Sequence, residues 1–242
     1  MRTRVCIGSL IGGLAAGYAS YAAVTWARYG HPRRGDSQQP TLDRFMSDYE
    51  VIERHQVRVA APADITFSAA CDMELEDSLI IRSIFKAREL VMGGVAAETA
   101  RPRGLVAQTR ALGWRALAEI PGREIVMGAV TQPWMQNPIF RPVAPDEFAA
   151  FQEPDYVKIV WNLRAEPVGP AESIFTTETR AATTDAGARA KFRVYWSFAS
   201  PGIWLIRRLT LAPLRREAER RFRYGAATLP DDSSAIMTAE KL

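Results

Sequence analysis

The sequence predicts an α+β protein: a curved antiparallel sheet gripping a long C-terminal helix, behind one N-terminal transmembrane helix. Three observations carry this. Val5 to Ala27 is a run of 23 residues with no formal charge. At 1.5 Å of rise per residue such a helix covers roughly 30 Å, the thickness of a bilayer core. Glu50 to Ala60 and Tyr156 to Ala165 alternate apolar and polar residues, the pattern of half-buried strands. The element order is strand, short helix, helix, several antiparallel strands and a long C-terminal helix.

In the opening segment Val5, Ile7, Leu10, Ile11, Leu14 and Val24 supply the apolar surface, diluted by Gly8, Gly12, Gly13 and Gly17. Trp26 and Tyr29 close it, where amphipathic rings favour the headgroup zone. Arg2 and Arg4 precede it and Arg28, Arg33 and Arg34 follow, so flanking charge leaves the orientation open. The competing readings are a secretory signal peptide cleaved before Ala23, after Ser20, Tyr21 and Ala22, and a buried helix of a soluble domain. The apolar run is longer than a usual signal core, which favours an uncleaved anchor. His31 to Thr41, with Pro32, Gly35 and Pro40, is a polar linker, and Leu42 to Tyr49 is a short helical turn.

In the first strand Val51, Glu53, His55, Val57 and Val59 share one face, and Ile52, Arg54, Gln56 and Arg58 the other. Pro62 stops it, and Asp64 is placed to cap a short helix containing Ile65, Phe67, Ala70 and Cys71. Asp77 or Ser78 opens a longer helix, with Ile80, Ile81, Ile84, Phe85 and Val91 at helical spacing, ended by Gly93 and Gly94. Leu105 to Leu112 is a short helix closed by Gly113. Trp114 to Ile120 and Arg123 to Thr131 are strands joined through Pro121 and Gly122, a residue pair suited to a tight turn. Gln132 to Asp146 is irregular and proline-rich. Glu166 to Glu172 is a turn between Tyr156–Ala165 and a last strand, Ser173 to Ala182. Asp185 caps a helix running to about Phe198, Pro201 and Gly202 break it, and Ile203 to Arg223 forms a second helical stretch bent at Pro213. Leu229 to Leu242 is a polar tail.

Composition narrows the function classes. An apolar content of 48% with 24% charged residues is that of an ordinary globular protein. The net charge is +4, a modest excess with no RNA-binding motif beside it, so no nucleic-acid partner is expected. Only His31 and His55 are present and no acidic-histidine cluster occurs, so neither a metal nor a cofactor is expected. Cys6 and Cys71 are the two cysteines and do not make a disulfide framework. There is no G-x-S-x-G nucleophile elbow and no glycine-rich phosphate loop.

Val57, Arg58, Val59, Ala60, Ala61, Pro62, Ala63 and Asp64 run from strand through an alanine-proline break into helix. Thr176 to Arg180 lead through Thr184 and Asp185 into Phe192, Arg193, Val194, Tyr195 and Trp196. With the helix from Ile81 to Leu90, these stretches resemble the START/Bet v 1-like superfamily (SRPBCC, polyketide cyclase/dehydratase-like) over about Val51 to Arg221. The resemblance implies a helix-grip fold with a hydrophobic cavity beneath the long helix. Members bind lipids, sterols or aromatic metabolites, and some cyclise or dehydrate polyketides. On this reading residues 1–35 are anchor and linker start, 36–49 linker, 50–226 the ligand-binding domain and 227–242 the tail.

The expected function is membrane-anchored, non-catalytic binding of a hydrophobic small molecule or lipid. A cyclase/dehydratase-type enzyme and an interaction module without a ligand are the alternatives. Trp134, Phe140, Trp161 and Tyr195 are the aromatic ligand-binding candidates, since such side chains dominate apolar pockets and ordinary cores alike. Glu178 and Arg180, two apart on one strand face, could orient a polar head in the cavity, or could be a solvated or internally paired face. His55, Glu119 and Glu178 are the acid–base candidates. The arginines from Arg207 to Arg223 form a solvated outer face or a lipid-contacting one.

Overall fold

A computed structural model describes residues 16–29, 33–34, 39–74 and 102–227. Residues 16–28 are helical (α1). There follow β1 (Arg33–Arg34), α2 (Pro40–Asp43), β2 (Asp48–Tyr49), β3 (Val51–Val59), α3 (Ala63–Asp72), α4 (Leu105–Ala111), β4 (Arg115–Ile120) and β5 (Glu124–Thr131). The chain continues as α5 (Pro145–Phe148), β6 (Val157–Gly169), β7 (Glu172–Thr183) and α6 (Ala186–Ala227). The helix expected from Asp77 to Gly94, the polar tail and Val5 to Ala15 of the apolar run lie outside the described residues.

The main sheet is antiparallel, in the order β3-β7-β6-β5-β4. Tight hairpins set two of its four pairings, β4–β5 and β6–β7. At β4–β5 the turn is closed by Arg123 N–H donating to the Ile120 carbonyl at 3.0 Å. Gly122 takes φ +70° at its third position, the conformation a type II turn demands and glycine adopts without strain. β6 and β7 are longer than alternation alone suggests. Glu166 to Gly169, expected as turn, remains paired with β7 across a register shift between Pro167 and Gly169. A bulge of this kind absorbs the proline without ending the ladder.

One face of the sheet carries α3 and α6. Phe67, Met127, Trp161, Leu163, Phe175 and Leu214 belong to its larger apolar cluster. Val51, Val157, Phe192 and Trp196 belong to a second cluster nearer the start of α6. The opposite face is covered by residues 39–49 and α5, with Leu42, Phe45, Met46, Val126, Val160 and Phe148 buried. Residues 42–49, expected as linker and a helical turn, are thus part of the packed structure: Leu42 is fully buried.

α6 is one helix of 42 residues with Pro201 and Pro213 inside it, where the sequence suggested two helices broken at Pro201–Gly202. An interior proline costs about 3 kcal/mol. Phe192 and Trp196 before Pro201, and Leu214 and Ala218 after it, are buried on the same sheet face. Burial of a large apolar side chain is worth about 1.5–3 kcal/mol each, so packing on both sides outweighs the break. The α6 start is capped as expected: Ala188 N–H donates to Asp185 Oδ1 at 2.9 Å. At α3 the N-cap is Pro62, with no side-chain cap, and Asp64 stands in the first turn.

Helix α1 lies against α6. The Tyr18 hydroxyl donates to the Phe198 carbonyl at 2.6 Å, and Arg193 Nε donates to the Trp26 carbonyl at 2.7 Å. Tyr29 is buried edge-on to Phe192 and donates to Glu50 Oε2 at 2.7 Å. Among the described residues no helix is long and apolar enough to cross a membrane. The part of the expected span that is described, residues 16–27, is helix that contacts α6 from Tyr18 to Trp26.

Candidate functional site

Pleat alternation sends Val51, Glu53, His55, Val57 and Val59 to the α6 side. Cross-strand pairing sets Glu53 against Thr179 and His55 against Thr177. Above them α6 presents Phe192, Trp196, Ser200, Ile203 and Arg207 at helical spacing. Arg207 Nη1 donates to Thr177 Oγ1 at 3.3 Å. A polar island of Glu53, His55, Thr177, Thr179 and Arg207 therefore interrupts the apolar packing between sheet and helix.

The island is under-satisfied. His55 Nε2 stands 3.8 Å from Glu53 Oε2, too far for a hydrogen bond. His55 Nε2, Thr179 Oγ1 and Ser200 Oγ are all buried without a hydrogen-bond partner. Buried polar atoms are nearly always paired, because an orphan costs about 1–3 kcal/mol. Burial raises the Glu53 carboxyl above its ordinary range, with Arg207 opposing. Burial, then Arg207 and Arg208, lowers the His55 imidazole. Arg207 itself is pushed down to about 10 by burial, with Glu53 opposing. The arrangement thus holds a neutral imidazole with an open nitrogen beside a carboxyl and a guanidinium. It can grip a hydroxyl or carbonyl, and it can accept a proton.

A pocket of about 170 Å³ reaches this side of the sheet between α1 and β3, lined by Tyr21, Thr25, Tyr29, Val51, Glu53 and Trp196 among others. Its volume suits a small polar group and falls below that of whole drug-sized ligand sites.

Of the residues singled out from sequence, His55 lies in the island. Trp161 belongs to the larger apolar cluster beside it, and Tyr195 and Trp134 pack on the smaller one. Phe140 stands 5.0 Å from Trp114, whose ring is edge-on to Trp161 at 6.2 Å, so the proline-rich loop is tied to the sheet by an aromatic ladder. Trp134 lies beneath the Lys191 ammonium at 5.6 Å. Glu119 is half-exposed, 3.6 Å from Arg110. Glu178 and Arg180 correct the expectation of a cavity-facing pair: both are fully buried on the opposite face of the sheet, beneath residues 39–49. There Arg180 donates to Glu178 at 2.7 Å, Asp43 at 2.6 Å and the Met46 carbonyl at 2.7 Å. Glu178 also pairs with Arg54. Two residues apart on one strand face they do stand together, but alternation from Phe175 puts them away from α6.

Sequence reasoning missed Glu53, Thr177, Thr179, Ser200 and Arg207 as site residues. Glu53 was accessible, since it shares His55's strand face two positions away. Arg207 sits four residues from both Ile203 and Leu211, an apolar stripe; reading it as one of a run of surface arginines hid that.

No protein-family model matches the chain, and no curated protein matches it. Among solved structures it is similar to CalU16 from Micromonospora echinospora, at 12% identity over 72% of this chain and 97% of that one, with a TM-score of 0.24. CV1439 from Chromobacterium violaceum aligns at 13% identity over 64% and 95%, TM-score 0.24. The Zhui aromatase/cyclase from Streptomyces sp. R1128 aligns at 15% over 71% and 94%, TM-score 0.22. Likenesses with TM-scores this low carry no argument. The class of the domain rests on its own topology: α+β, a five-stranded antiparallel sheet with a long C-terminal helix across one face.

Proposed function

We propose that this chain is a membrane-tethered helix-grip domain that binds an amphiphilic small molecule or lipid between the sheet and α6, without chemistry. The supporting observation is the polar island with its orphaned His55 Nε2, Thr179 Oγ1 and Ser200 Oγ, set between two apolar clusters. A ligand whose hydroxyl or carbonyl meets those atoms removes their desolvation penalty, and its apolar body gains about 25 cal/mol per Å² buried. The charge-free run from Val5 to Ala27 supports a tether that would keep the domain beside such ligands. Native mass spectrometry of the full chain from mild detergent, with solvent extraction, tests this. A stoichiometric amphiphile, lost in Thr179→Val and weakened in His55→Gln, is the expected result. Protein that neither retains nor takes up any hydrophobic molecule overturns it.

The open His55 nitrogen beside Glu53 favours a second reading, an enzyme of the cyclase/dehydratase type with His55 as general base. It requires a product, either a cyclised isomer of what was bound or that molecule less one water, to appear on incubation, and His55→Gln to abolish that change while binding persists.

A further inference from the structure

A second pocket opens on the opposite side of the sheet and is no part of the site under α6. Its volume is about 330 Å³, and Lys158, Ala182 and Thr183 of the sheet, Asp43 to Glu50, Ala149, Gln152 and Arg189 line it. This volume lies at the lower end of the range for small-molecule sites. Lys158 is 8% exposed. Its Nζ donates to the Ala149 carbonyl at 2.9 Å, and among the described residues no carboxylate lies within ion-pair distance of it. A lysine ammonium carries three donors, and a buried cation without a counter-charge is costly.

The charges around the pocket sort into spent and unspent. Asp43 is held by Arg180 at 2.6 Å. Glu50 is held by Arg189 at 2.7 Å, by Tyr29 at 2.7 Å and by Thr183 at 2.8 Å. At the exposed rim Arg44 rests over the Phe45 ring, and Asp48 accepts from Ser47. What remains is the buried Lys158 with one rim cation against one rim anion, a surplus of about one positive charge. That matches a monoanion. A phosphate dianion would bring two charges in among three carboxylates. The walls also include Phe45, Met46 and Tyr49, which suit an organic body.

We propose that this pocket is a binding site for a small organic carboxylate, its oxygens on the Lys158 ammonium and its apolar part against Phe45, Met46 and Tyr49. Burial pushes the Lys158 amine down from its ordinary value, the direction expected of an ammonium that a bound anion would compensate. The site shares Glu50 with the smaller pocket between α1 and β3 but no residue of the polar island under α6, so either can fail without the other.

The test is a calorimetric titration of the full chain with sodium benzoate, sodium hexanoate, benzamide and inorganic phosphate at millimolar concentrations. Saturable binding of benzoate or hexanoate is expected, with benzamide and phosphate at least about tenfold weaker, the scale of one charge-assisted hydrogen bond. Lys158→Met weakens carboxylate binding about tenfold or more. Ala182→Leu, which fills the pocket beside Lys158 without touching its charge, abolishes it. His55→Gln leaves it unchanged. Thermal melts of the variants confirm that each is folded, and should one variant fail to fold, the other decides. Absence of saturable carboxylate binding overturns the proposal. So does binding that folded Lys158→Met and Ala182→Leu leave intact, or binding in which benzamide or phosphate equals the carboxylates.

Discussion

Arg180→Met makes the sharpest test of how residues 39–49 are held on the sheet. The Arg180 side chain is fully buried, donates to Glu178, Asp43 and the Met46 carbonyl, and lies over the Tyr49 ring at 4.7 Å. Methionine matches much of its volume and none of its charge. Removing one partner of a buried ion pair costs about 3–5 kcal/mol, because the remaining charge stays buried. Glu178 is wholly buried but keeps Arg54, while Asp43 is 24% exposed and regains water, which sets the loss at the lower end, about 3 kcal/mol. For a domain of this size that is roughly 6–12 °C in melting temperature. Urea unfolding followed by circular dichroism measures it. The double variant Arg180→Met with Glu178→Leu should recover much of the loss, since replacing a buried pair by apolar groups is often neutral. A single-variant loss under about 1 kcal/mol, or a double variant no better than the single, refutes the view of this network as charge-balanced and, apart from the unpartnered Arg180 Nη2, hydrogen-bonded.

Two further outcomes follow from geometry already given. The folded-state pKa of His55 lies below its ordinary 6.5, so between the two values the unfolded chain holds a proton that the folded chain lacks; stability contributed at this position rises with pH across that window. Glu53, raised above its ordinary 4.5, acts with the opposite sign, so the comparison is wild type minus His55→Gln in urea midpoint at several pH values on the acid side of 6.5: a difference that grows with pH is expected, and a flat one counts against burial of a neutral imidazole. Gly113→Ala should destabilise by about 1–2 kcal/mol or more, because Gly113 has φ +98° and a Cβ there would stand 2.1 Å from the Phe140 carbonyl oxygen; a melting temperature equal to wild type would show that the proline-rich loop is not pinned at that turn.

How much of this was legible in the sequence depended on the range of the signal. The faces of β3 follow from period-two alternation, and the β4–β5 turn from Pro121–Gly122, because both are set by residues adjacent in the chain. The single helix α6 was not legible: propensity at Pro201 is local, and the sheet that overrides it is assembled from strands up to about 150 positions away. The location of the candidate site was half legible. His55 follows from alternation, but Glu178 and Arg180 needed the knowledge that residues 39–49 cover the other face, so that two polar side chains could be buried there in pairs. One signal was there to be read: Leu42, Phe45, Met46 and Tyr49 recur at i, i+3, i+4 and i+7, an apolar helical face that marks a cover more than a tether.

The unbroken run of α6 has a mechanical consequence. At 1.5 Å per residue its 42 residues form a rod of about 63 Å. Its two ends are clasped by different parts of the molecule: α1 grips it at Arg193 and Phe198, and α3 with the larger apolar cluster grips it at Leu214 and Ala218. Pro201, where the backbone lacks one rung of its ladder and bending is easiest, falls between the clasps. Arg207 stands on the far side of that soft point from α1. A displacement of α1 would therefore load the arm of α6 before Pro201, whereas Arg207, which donates to Thr177, belongs to the arm after it.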